Sequence, residues 1–433
     1  MKENITISFG LDDTDSNKGM CTTYVMYKIL EKARTEGFQL VGMPRLVRLN
    51  PAVPFKTRGN AALGADIALQ DKDVERFKEI VLDTIFDLAE INEKKTNPAF
   101  VILNKEKINE TLVNFSRAAV KNLLPVTQAV DLLKKFSEFF FGFNGSQGLV
   151  GALAGAAYDF PSGYTYELLA YRVKEMRGKK RLVESNSVLL MDAATRGCTF
   201  DNYDYENEEV KITPHTPCPV LLGIRGLKVE CLEKAFKMLK IDEPVEGYII
   251  YKTNQATDDH IVEIKILDEI MPLTSVSFQG KVVSLPKEVP GGHVFVEVSD
   301  GIRKIRIASY EPTRSLRKIV LSLRPGDEVR VWGSYKPKQG EPPTINLEKI
   351  KVVNVYPYGK LLNPICPVCG TRMKSEGKGK GFQCPRCKFR IPKAEKVLEI
   401  ERRDLVPGFY DVPPKARRHL SRPSFLRVIK DEK

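Results

Sequence analysis

The sequence has no apolar run that approaches the roughly 20 residues needed to span a bilayer. Its first residues lead directly into a strand pattern and contain no signal-peptide core. A Walker phosphate loop and a dinucleotide-binding fingerprint are also absent from it. These absences argue against a membrane partner and against the common nucleotide-binding motifs, and they predict a soluble, cytoplasmic protein.

The nearest approach to a phosphate loop is the stretch of residues 143–155, in which glycines recur at the start of an alanine-rich helix. Small residues at helical spacing more often indicate close packing than phosphate binding. A nucleotide-binding role for this stretch is therefore the weaker of two interpretations.

The eight cysteines show no spacing typical of a secreted disulfide framework. Four are scattered and are expected to be reduced thiols: Cys21, Cys198, Cys218 and Cys231. The other four form two tight pairs: Cys366 with Cys369, and Cys384 with Cys387. Four thiolates at this spacing predict one structural, tetrahedral zinc site, and a rubredoxin-type iron centre is the alternative.

Positive charge is in excess, with 68 Lys and Arg against 55 Asp and Glu and a formal net charge of +13. Such a surplus favours a polyanionic partner such as nucleic acid, although surface lysines also serve solubility. The length of 433 residues predicts about three domains.

The residues best suited to chemistry lie between positions 10 and 23, where a strand pattern gives way to a helix pattern. Asp12, Asp13 and Asp15 fall in this turn. Carboxylate oxygens suit a hard cation such as magnesium, and free amides at a helix start attract anions. The turn predicts a site for a metal and a phosphate, and an acidic helix cap is the alternative.

A basic loop follows at residues 55–60. Lys56 and Arg58 can neutralise phosphate oxygens, and Gly59 allows a ligand to approach the backbone closely. The loop is thus a candidate triphosphate contact, and a solvated turn between strands is the alternative.

Two strand-helix-strand units occur, at residues 61–103 and 220–251, and two such units build a ferredoxin-like sheet when they pair. If they do, the segment between them returns to the N-terminal unit, and the first two domains are interleaved. Within that segment, residues 165–172 and 187–191 have strand patterns.

Five short strands are expected in the next part of the chain, with a helix starting near Pro312 between the third and the fourth. They are residues 276–283, 293–298, 303–308, 328–335 and 344–353. This order predicts an OB-fold, which binds single strands, although a barrel with only a structural role is the alternative. Residues 415–430 carry six basic and no acidic side chains, as nucleic-acid-binding or disordered tails do.

Taken in order, residues 10–16, 19–23, 56–60, 253–260 and the cysteine pairs resemble the archaeal tRNA(Ile) 2-agmatinylcytidine synthetase family over essentially the full chain. The resemblance implies an α+β multidomain fold. Its expected parts are a kinase-like α/β domain (residues 1–60 and 105–214) interleaved with a ferredoxin-like domain (61–104 and 215–270), an OB-fold (271–358), a zinc ribbon (359–395) and a basic C-terminal tail (396–433).

The resemblance implies an ATP-dependent ligase that replaces the 2-oxo group of the wobble cytidine of a tRNA(Ile) with a CAU anticodon by agmatine, so that the anticodon decodes AUA. Phosphorylation of the cytidine carbonyl creates a leaving group that the agmatine amine displaces, and ATP ends as AMP and phosphate. A non-enzymatic nucleic-acid-binding protein would leave about half of the chain without a purpose. A small-molecule kinase would leave the C-terminal modules unexplained.

On this mapping Asp12, Asp13 and Asp15 bind Mg²⁺ and align ATP, and Thr22 is phosphorylated, with a helix N-cap as the alternative role of Thr22. The implied phosphate-binding residues are Gly19, Lys56, Thr57, Arg58, Gly59 and Asn60. Agmatine carries two positive charges, so its site needs carboxylates or carbonyls. The candidates are Gly148, Glu167, Asp201, Asp204 and His215, although Asp201 and Asp204 are also ordinary turn residues and His215 is equally a structural histidine.

Overall fold

The computed structural model describes residues 4–54, 56 and 59–426. Its first eleven strands are β1 Asn4–Asp12, β2 Gln39–Arg48, β3 Ala61–Gln70, β4 Ala99–Asn104, β5 Phe139–Gly142, β6 Thr165–Arg172, β7 Thr199–Phe200, β8 Tyr203–Asp204, β9 Glu209–Val210, β10 Val220–Gly226 and β11 Val245–Thr253. The α-helices are α1 Thr22–Thr35, α2 Val74–Leu88, α3 Glu110–Lys121, α4 Val126–Phe136, α5 Gly148–Ala157, α6 Ser185–Ala194, α7 Val229–Met238 and α8 Ser315–Ser322.

A nine-stranded sheet in the order β5-β4-β1-β3-β2-β11-β6-β10-β7 forms the core of the N-terminal part, which we call the sheet body. In strand β1, Ile7, Phe9 and Leu11 point to the same face of the sheet because side chains alternate along a strand, and α1 and α2 cover them there. Helices α3, α4 and α5 cover the other face around Val101 and Leu103. The sheet is thus buried on both sides, and the turn after β1 emerges between the two helical layers.

The two strand-helix-strand units do not pair with each other, so the expected direct pairing is wrong. Each strand of the two units has its other edge taken by a different strand: β3 by β2, β4 by β5, β10 by β7 and β11 by β2, which leaves neither unit an edge for the other. The halves of the sheet join only where Lys252 pairs with Arg45 and Thr253 with Leu46. The mixed α/β multidomain class is confirmed, and the domain boundaries stay a prediction.

The strand expected at residues 187–191 is also wrong, since this segment belongs to α6. Val188 and Met191 lie close to one turn apart and are fully buried against Leu168 and Leu221. Their apolar run fits a buried helix as well as a strand, and contact with the sheet selects the helix.

The next seven strands are β12 Ile261–Glu263, β13 Thr274–Val282, β14 Lys287–Val289, β15 His293–Ser299, β16 Lys304–Ser309, β17 Glu328–Tyr335 and β18 Thr344–Asn354. Five of them close into a barrel in the order β13-β17-β18-β16-β15, because β15 also pairs with β13. Helix α8 lies between β16 and β17, the third and fourth of these five in chain order. The predicted five-stranded OB-type barrel is confirmed.

The last six strands are β19 Gly359–Leu362, β20 Lys374–Ser375, β21 Phe382–Gln383, β22 Arg390–Ile391, β23 Val397–Ile400 and β24 Gly408–Asp411. Strands β20 to β22 form a small sheet beside the two cysteine pairs. Strand β24 pairs with β18 and so returns the chain to the barrel.

The C-terminal segment, which we define as residues 412–426, is not a free basic tail. The amides of Ala256 and Asp258 donate to the carbonyls of His419 and Leu420 at 2.8 and 2.9 Å, and Leu420 is buried in the core under α3 and α5. The alternative of a disordered tail is therefore wrong for these residues, because buried backbone contacts fix them to the sheet body, and nucleic-acid binding by this segment stays a prediction. Arg427 and Lys430 lie outside the described residues.

Two of the cysteines expected as free thiols, Cys198 and Cys231, form a disulfide. Cys198 immediately precedes β7, which pairs with β10, and Cys231 is in the first turn of α7, so their Cα atoms are only 6.1 Å apart. Cys21 and Cys218 remain thiols as expected.

Across the described residues, no helix combines the length and apolar character required to cross a membrane.

Candidate active site

One cavity of about 470 Å³ opens between the sheet body and the C-terminal segment. The turn after β1, the basic loop, the start of α5 and strand β6 all contribute to its wall. The predicted site residues that it gathers are Asp12, Asp13, Asp15, Thr22, Lys56, Gly59, Asn60, Gly148, Glu167, Asp201 and His215.

The carboxylate turn is held in an unusual conformation. Asp13 has a φ of 55°, in the left-handed region. Its Oδ2 accepts hydrogen bonds from the backbone N and the Nδ2 of Asn97, at 2.9 and 3.2 Å. Asn97 precedes β4, the neighbour of β1, so the sheet itself fixes the direction of this carboxylate.

Thr22 is the first residue of α1, and the N-cap position belongs to Cys21, which makes no side-chain cap. The N-cap alternative for Thr22 is therefore wrong. Its Oγ1 accepts from the Thr14 amide at 3.3 Å and donates to Asp15 Oδ1 at 3.4 Å. The hydroxyl thus points into the carboxylate turn, beside a group that can accept its proton.

The carboxylates of the turn disfavour each other's charge. Burial, with the added repulsion of Asp13 and Asp15, raises the pKa of Asp12 well above its usual value. Burial also raises the pKa of Asp13, although the hydrogen bonds from Asn97 oppose the rise. Crowded, partly desolvated carboxylates of this kind fit a divalent cation, whose charge would favour their ionised forms.

Helix α5 needs its glycines because it lies against the turn. A Cβ on Gly151 would be 1.8 Å from Asp12 Oδ2, and one on Gly148 would be 2.2 Å from the Asn97 carbonyl oxygen. A Cβ on Gly155 would be 2.2 Å from the Leu63 carbonyl oxygen. The glycine-rich stretch therefore serves close packing, as expected, and that packing brings the start of α5 to the cavity.

The described part of the basic loop contributes Lys56, Gly59 and Asn60 to the wall, whereas Thr57 and Arg58 lie outside the described residues. Gly19 does not line the cavity, since it lies at the far side of the turn, where its carbonyl accepts from the Ser16 amide at 3.1 Å.

Glu167 is buried at the centre of a charged network. It accepts from Arg48 Nη2 at 3.3 Å, Arg225 Nε at 3.2 Å and Gln255 Nε2 at 2.5 Å. Asp201 pairs with Arg417, and its Oδ2 lies 3.9 Å from Arg225 Nη1. Two of the three predicted agmatine carboxylates, Glu167 and Asp201, thus reach the cavity, and both already have arginine partners.

Asp204 is not among the residues that line the cavity, and its ligand role stays a prediction. Its carboxylate is fully buried and accepts from the amides of Glu206, Asn207 and Lys415 at 2.8 to 3.0 Å. It therefore shapes the loop behind Asp201. His215 lines the cavity with a largely exposed side chain, 3.2 Å from Glu209 Oε1.

Sequence reasoning missed several cavity residues, including Arg48, Arg225, Arg417 and His419. The Nδ1 of His419 is buried without a hydrogen-bond partner among the described residues. Burial, with Arg48 and Arg225 nearby, lowers the pKa of His419 well below its usual value, so the imidazole is neutral. No local pattern pointed to Arg417 and His419, because only the folded chain brings the C-terminal segment to the cavity.

Residues 253–260 connect the cavity to the barrel. Asn254 Oδ1 accepts a hydrogen bond from the Arg48 amide at 2.7 Å, and Gln255 Nε2 donates one to Glu167 Oε2. Further along, Asp258 Oδ1 pairs with Lys349 Nζ of β18 at 2.7 Å. This motif therefore positions the charged wall of the cavity relative to the OB barrel.

The four Sγ atoms of the cysteine pairs lie within 4.8 Å of one another. The Sγ atoms of Cys366 and Cys387 are 3.5 Å apart, and those of Cys369 and Cys384 are 3.4 Å apart. Zinc–sulfur bonds of about 2.3 Å in a tetrahedron suit such a set. The residues fit a closed, structural zinc site.

Family models match three parts of the chain: the TiaS TCKD domain at residues 8–145, the TiaS FLD domain at residues 146–260 and the TiaS C-terminal zinc ribbon domain at residues 363–403. The chain therefore belongs to the TiaS family, and the resemblance seen in its sequence is confirmed.

Relatives match over nearly the whole length. The isoleucine-tRNA 2-agmatinylcytidine synthetase TiaS of Methanocaldococcus jannaschii is 41% identical over 425 residues, which are 97% of this chain and 98% of that protein. The crystal structure of a complex of TiaS with an isoleucine tRNA and ATP superposes with a TM-score of 0.89 at 39% identity. That of a complex of TiaS with an isoleucine tRNA, AMPCPP and agmatine superposes with a TM-score of 0.85 at 37% identity. Both structural matches cover 97% of each chain.

Proposed function

We propose that this protein is an ATP-dependent ligase that replaces the 2-oxo group of the wobble cytidine of an isoleucine tRNA with agmatine, forming 2-agmatinylcytidine. One observation carries the proposal: a single cavity joins a phosphate-competent turn to a wall with the carboxylates of Glu167 and Asp201. The names of its close relatives support the same substrates. Because the substrate is a tRNA, we place the protein in the cytoplasm.

The proposed chemistry activates a poor leaving group. The cytidine carbonyl oxygen attacks a phosphoryl group of ATP, and the agmatine amine then attacks C2 and expels phosphate, which leaves a C–N bond. With AMP and phosphate as the products of ATP, two phosphoanhydride bonds break. Transfer of one phosphoryl group to Thr22 and of another to the cytidine accounts for both, and hydrolysis of the phosphothreonine then restores Thr22 and releases the second phosphate.

The residues of the turn would do the positioning. Asp12, Asp13 and Asp15 would hold Mg²⁺, which neutralises phosphate charge when it is bound. Asp15 Oδ1, 3.4 Å from Thr22 Oγ1, can take the hydroxyl proton as Thr22 becomes the nucleophile. Lys56, Gly59 and Asn60 supply a positive charge and close backbone approach for phosphate groups, and Thr57, Arg58 and Gly19 complete this proposed set.

Agmatine would bind at the opposite wall, between Gly148, Glu167, Asp201 and His215. Asp201 is the carboxylate that we assign to the ligand cation, because only its Oδ1 has a close partner, Arg417, whereas its Oδ2 is 3.9 Å from Arg225. Glu167 is more fully engaged and fixes Arg48 and Arg225 in place. Asp201→Asn should therefore raise the KM for agmatine and leave the KM for ATP unchanged.

The direct test is to incubate the protein with ATP, Mg²⁺, labelled agmatine and a transcript of the isoleucine tRNA with a CAU anticodon, and to measure label in the RNA. We expect label with the wild type and with Thr22→Ser, which keeps the hydroxyl, and none with Thr22→Ala. Binding of tRNA without any transfer by the wild type would favour the non-enzymatic alternative. If Thr22→Ala and Asp13→Ala both left ATP hydrolysis intact, the proposed catalytic turn would be wrong.

A further inference from the structure

Three cationic side chains converge on one backbone oxygen at the border between the cavity and the barrel. The Pro51 carbonyl oxygen lies 2.7 Å from Lys56 Nζ, 3.2 Å from Arg418 Nη1 and 3.4 Å from Lys336 Nζ. Lys56 belongs to the basic loop, Arg418 to the C-terminal segment, and Lys336 directly follows strand β17 of the barrel. Three parts of the chain that are distant in sequence thus place positive charge at one point.

The charge of this cluster is not balanced within the described residues. The nearest acidic group is Glu348, whose Oε1 lies 3.1 Å from Arg418 Nε. Among the residues that the structure describes, no carboxylate lies within 4.0 Å of the Nζ atom of Lys56 or Lys336. The carboxylate of Glu348 is therefore the one acidic group near three cations, and it also contacts His260.

The cations also affect one another. Burial, together with the charges of Arg418 and Lys336, lowers the pKa of Lys56 to about 8. Burial and Arg418 lower the pKa of Lys336 as well. A bound anion would offset this repulsion, so the cluster has the properties of an anion site that is formed before its ligand arrives.

We propose that Lys336 and Arg418, together with Lys56, which they share with the ATP phosphates, bind a backbone phosphate of the RNA next to the nucleotide that enters the cavity. The inference rests on the proposed function. Lys56 lines the cavity, whereas Lys336 is part of the barrel, so the cluster lies where a strand held on the barrel has to pass to place a base in the cavity. The phosphates of ATP are the other source of the same chemistry, and the experiment separates the two.

The test compares Lys336→Gln with Lys338→Gln in the full-length, zinc-loaded protein. Lys338 also follows β17, but its side chain is 71% exposed and lies 3.5 Å from Glu341 Oε1, away from the cluster. Binding of the isoleucine tRNA transcript is measured by fluorescence anisotropy over a series of salt concentrations, and ATP binding is measured on the same preparations. A third variant, Lys336→Arg, keeps the positive charge.

Affinity for RNA falls as salt rises, and we expect the plot of log affinity against log salt to be less steep by about one for Lys336→Gln, because one phosphate contact is lost. ATP affinity should be unchanged. Lys338→Gln and Lys336→Arg should keep the wild-type slope. A wild-type slope for Lys336→Gln, or an equal loss with Lys338→Gln, would overturn the proposal. So would weaker ATP binding with an unchanged RNA slope, since that result assigns the cluster to ATP.

Agmatine transfer by the wild type, measured in parallel, reports the proposed function separately, because the salt slope does not depend on catalysis. A wild type that binds tRNA without transferring agmatine would contradict the proposed ligase. The slope of Lys336→Gln would still decide whether the cluster binds an RNA phosphate.

Discussion

His260 Nε2 lies 3.0 Å from Glu348 Oε2, and this buried contact joins the segment after the nine-stranded sheet to strand β18 of the barrel. Arg418 of the C-terminal segment approaches the other oxygen of the same carboxylate at 3.1 Å. Glu348 therefore sits where three parts of the chain that build or border the cavity meet. Their relative placement depends on its charge.

The first prediction concerns acid stability. Burial raises the pKa of Glu348, but His260, Arg418 and Lys349 lower it more strongly, to about 2 from the usual 4.5. Since the folded-state pKa is the lower one, the stabilisation is present above pH 4.5 and is lost as the pH falls toward 2. Glu348→Gln should cost about 3 to 5 kcal/mol in the free energy of unfolding at pH 7, because it leaves buried cations without their partner.

Urea unfolding of both proteins between pH 7 and pH 3 measures this effect. The difference in unfolding free energy between wild type and Glu348→Gln should shrink as the pH falls. A difference that stays constant with pH would show that Glu348 stabilises through packing and not through its charge.

The second prediction uses two glycines of the same helix. In Gly151→Ala the new methyl group meets the Asp12 carboxylate, which can rotate away, whereas in Gly155→Ala it meets the backbone of Leu63, which cannot. We expect Gly151→Ala to lower ATP turnover at least about a hundredfold with a modest stability loss, because it displaces a positioned group. Gly155→Ala should instead cost about 1 to 3 kcal/mol of stability.

Thermal unfolding and ATP hydrolysis on both variants distinguish the two effects. If Gly151→Ala and Gly155→Ala lost activity in the same proportion to their loss of stability, the position of Asp12 would not matter specifically for catalysis.

The local parts of the site could be predicted from the sequence, and its long-range parts could not. The turn at Asp12 and the knuckle at Cys384 depend on residues that are close in the chain, and their spacing indicated the chemistry directly. The pairing of β1 with β3 and β4 depends on competition among strands with similar apolar patterns, which spacing does not resolve. Arg417 and His419 reach the cavity only because the C-terminal segment folds back, so no local pattern could reveal them.

A third prediction separates stability from activity at the carboxylate turn. The pKa of Asp12 is raised by burial and by its acidic neighbours, so its ionised form destabilises the folded protein as the pH rises above its usual value of 3.8. Asp12→Asn removes that charge and should raise the melting temperature at pH 7 in the absence of metal. The same change should reduce ATP turnover about a hundredfold or more, because a proposed magnesium ligand is lost.

Calorimetry with and without MgCl₂ gives the necessary comparison. Mg²⁺ should raise the melting temperature of the wild type more than that of Asp12→Asn. A variant that melts below the wild type without metal would contradict the proposed repulsion.

The fourth prediction concerns the zinc ribbon. Truncation after the barrel would also remove Arg417 and His419 from the cavity, so it cannot isolate the role of the ribbon.

Cys384→Ser is the cleaner change, because Cys384 is fully buried among the four thiols and its loss should release the one zinc expected per chain. We expect weaker tRNA binding and little agmatine transfer, with ATP affinity retained, since the cysteine knuckles contribute no residue to the cavity wall. Metal analysis, anisotropy with the tRNA transcript and ATP binding test each part. A zinc-free Cys384→Ser protein with wild-type tRNA affinity would show that the ribbon is not needed to hold the RNA.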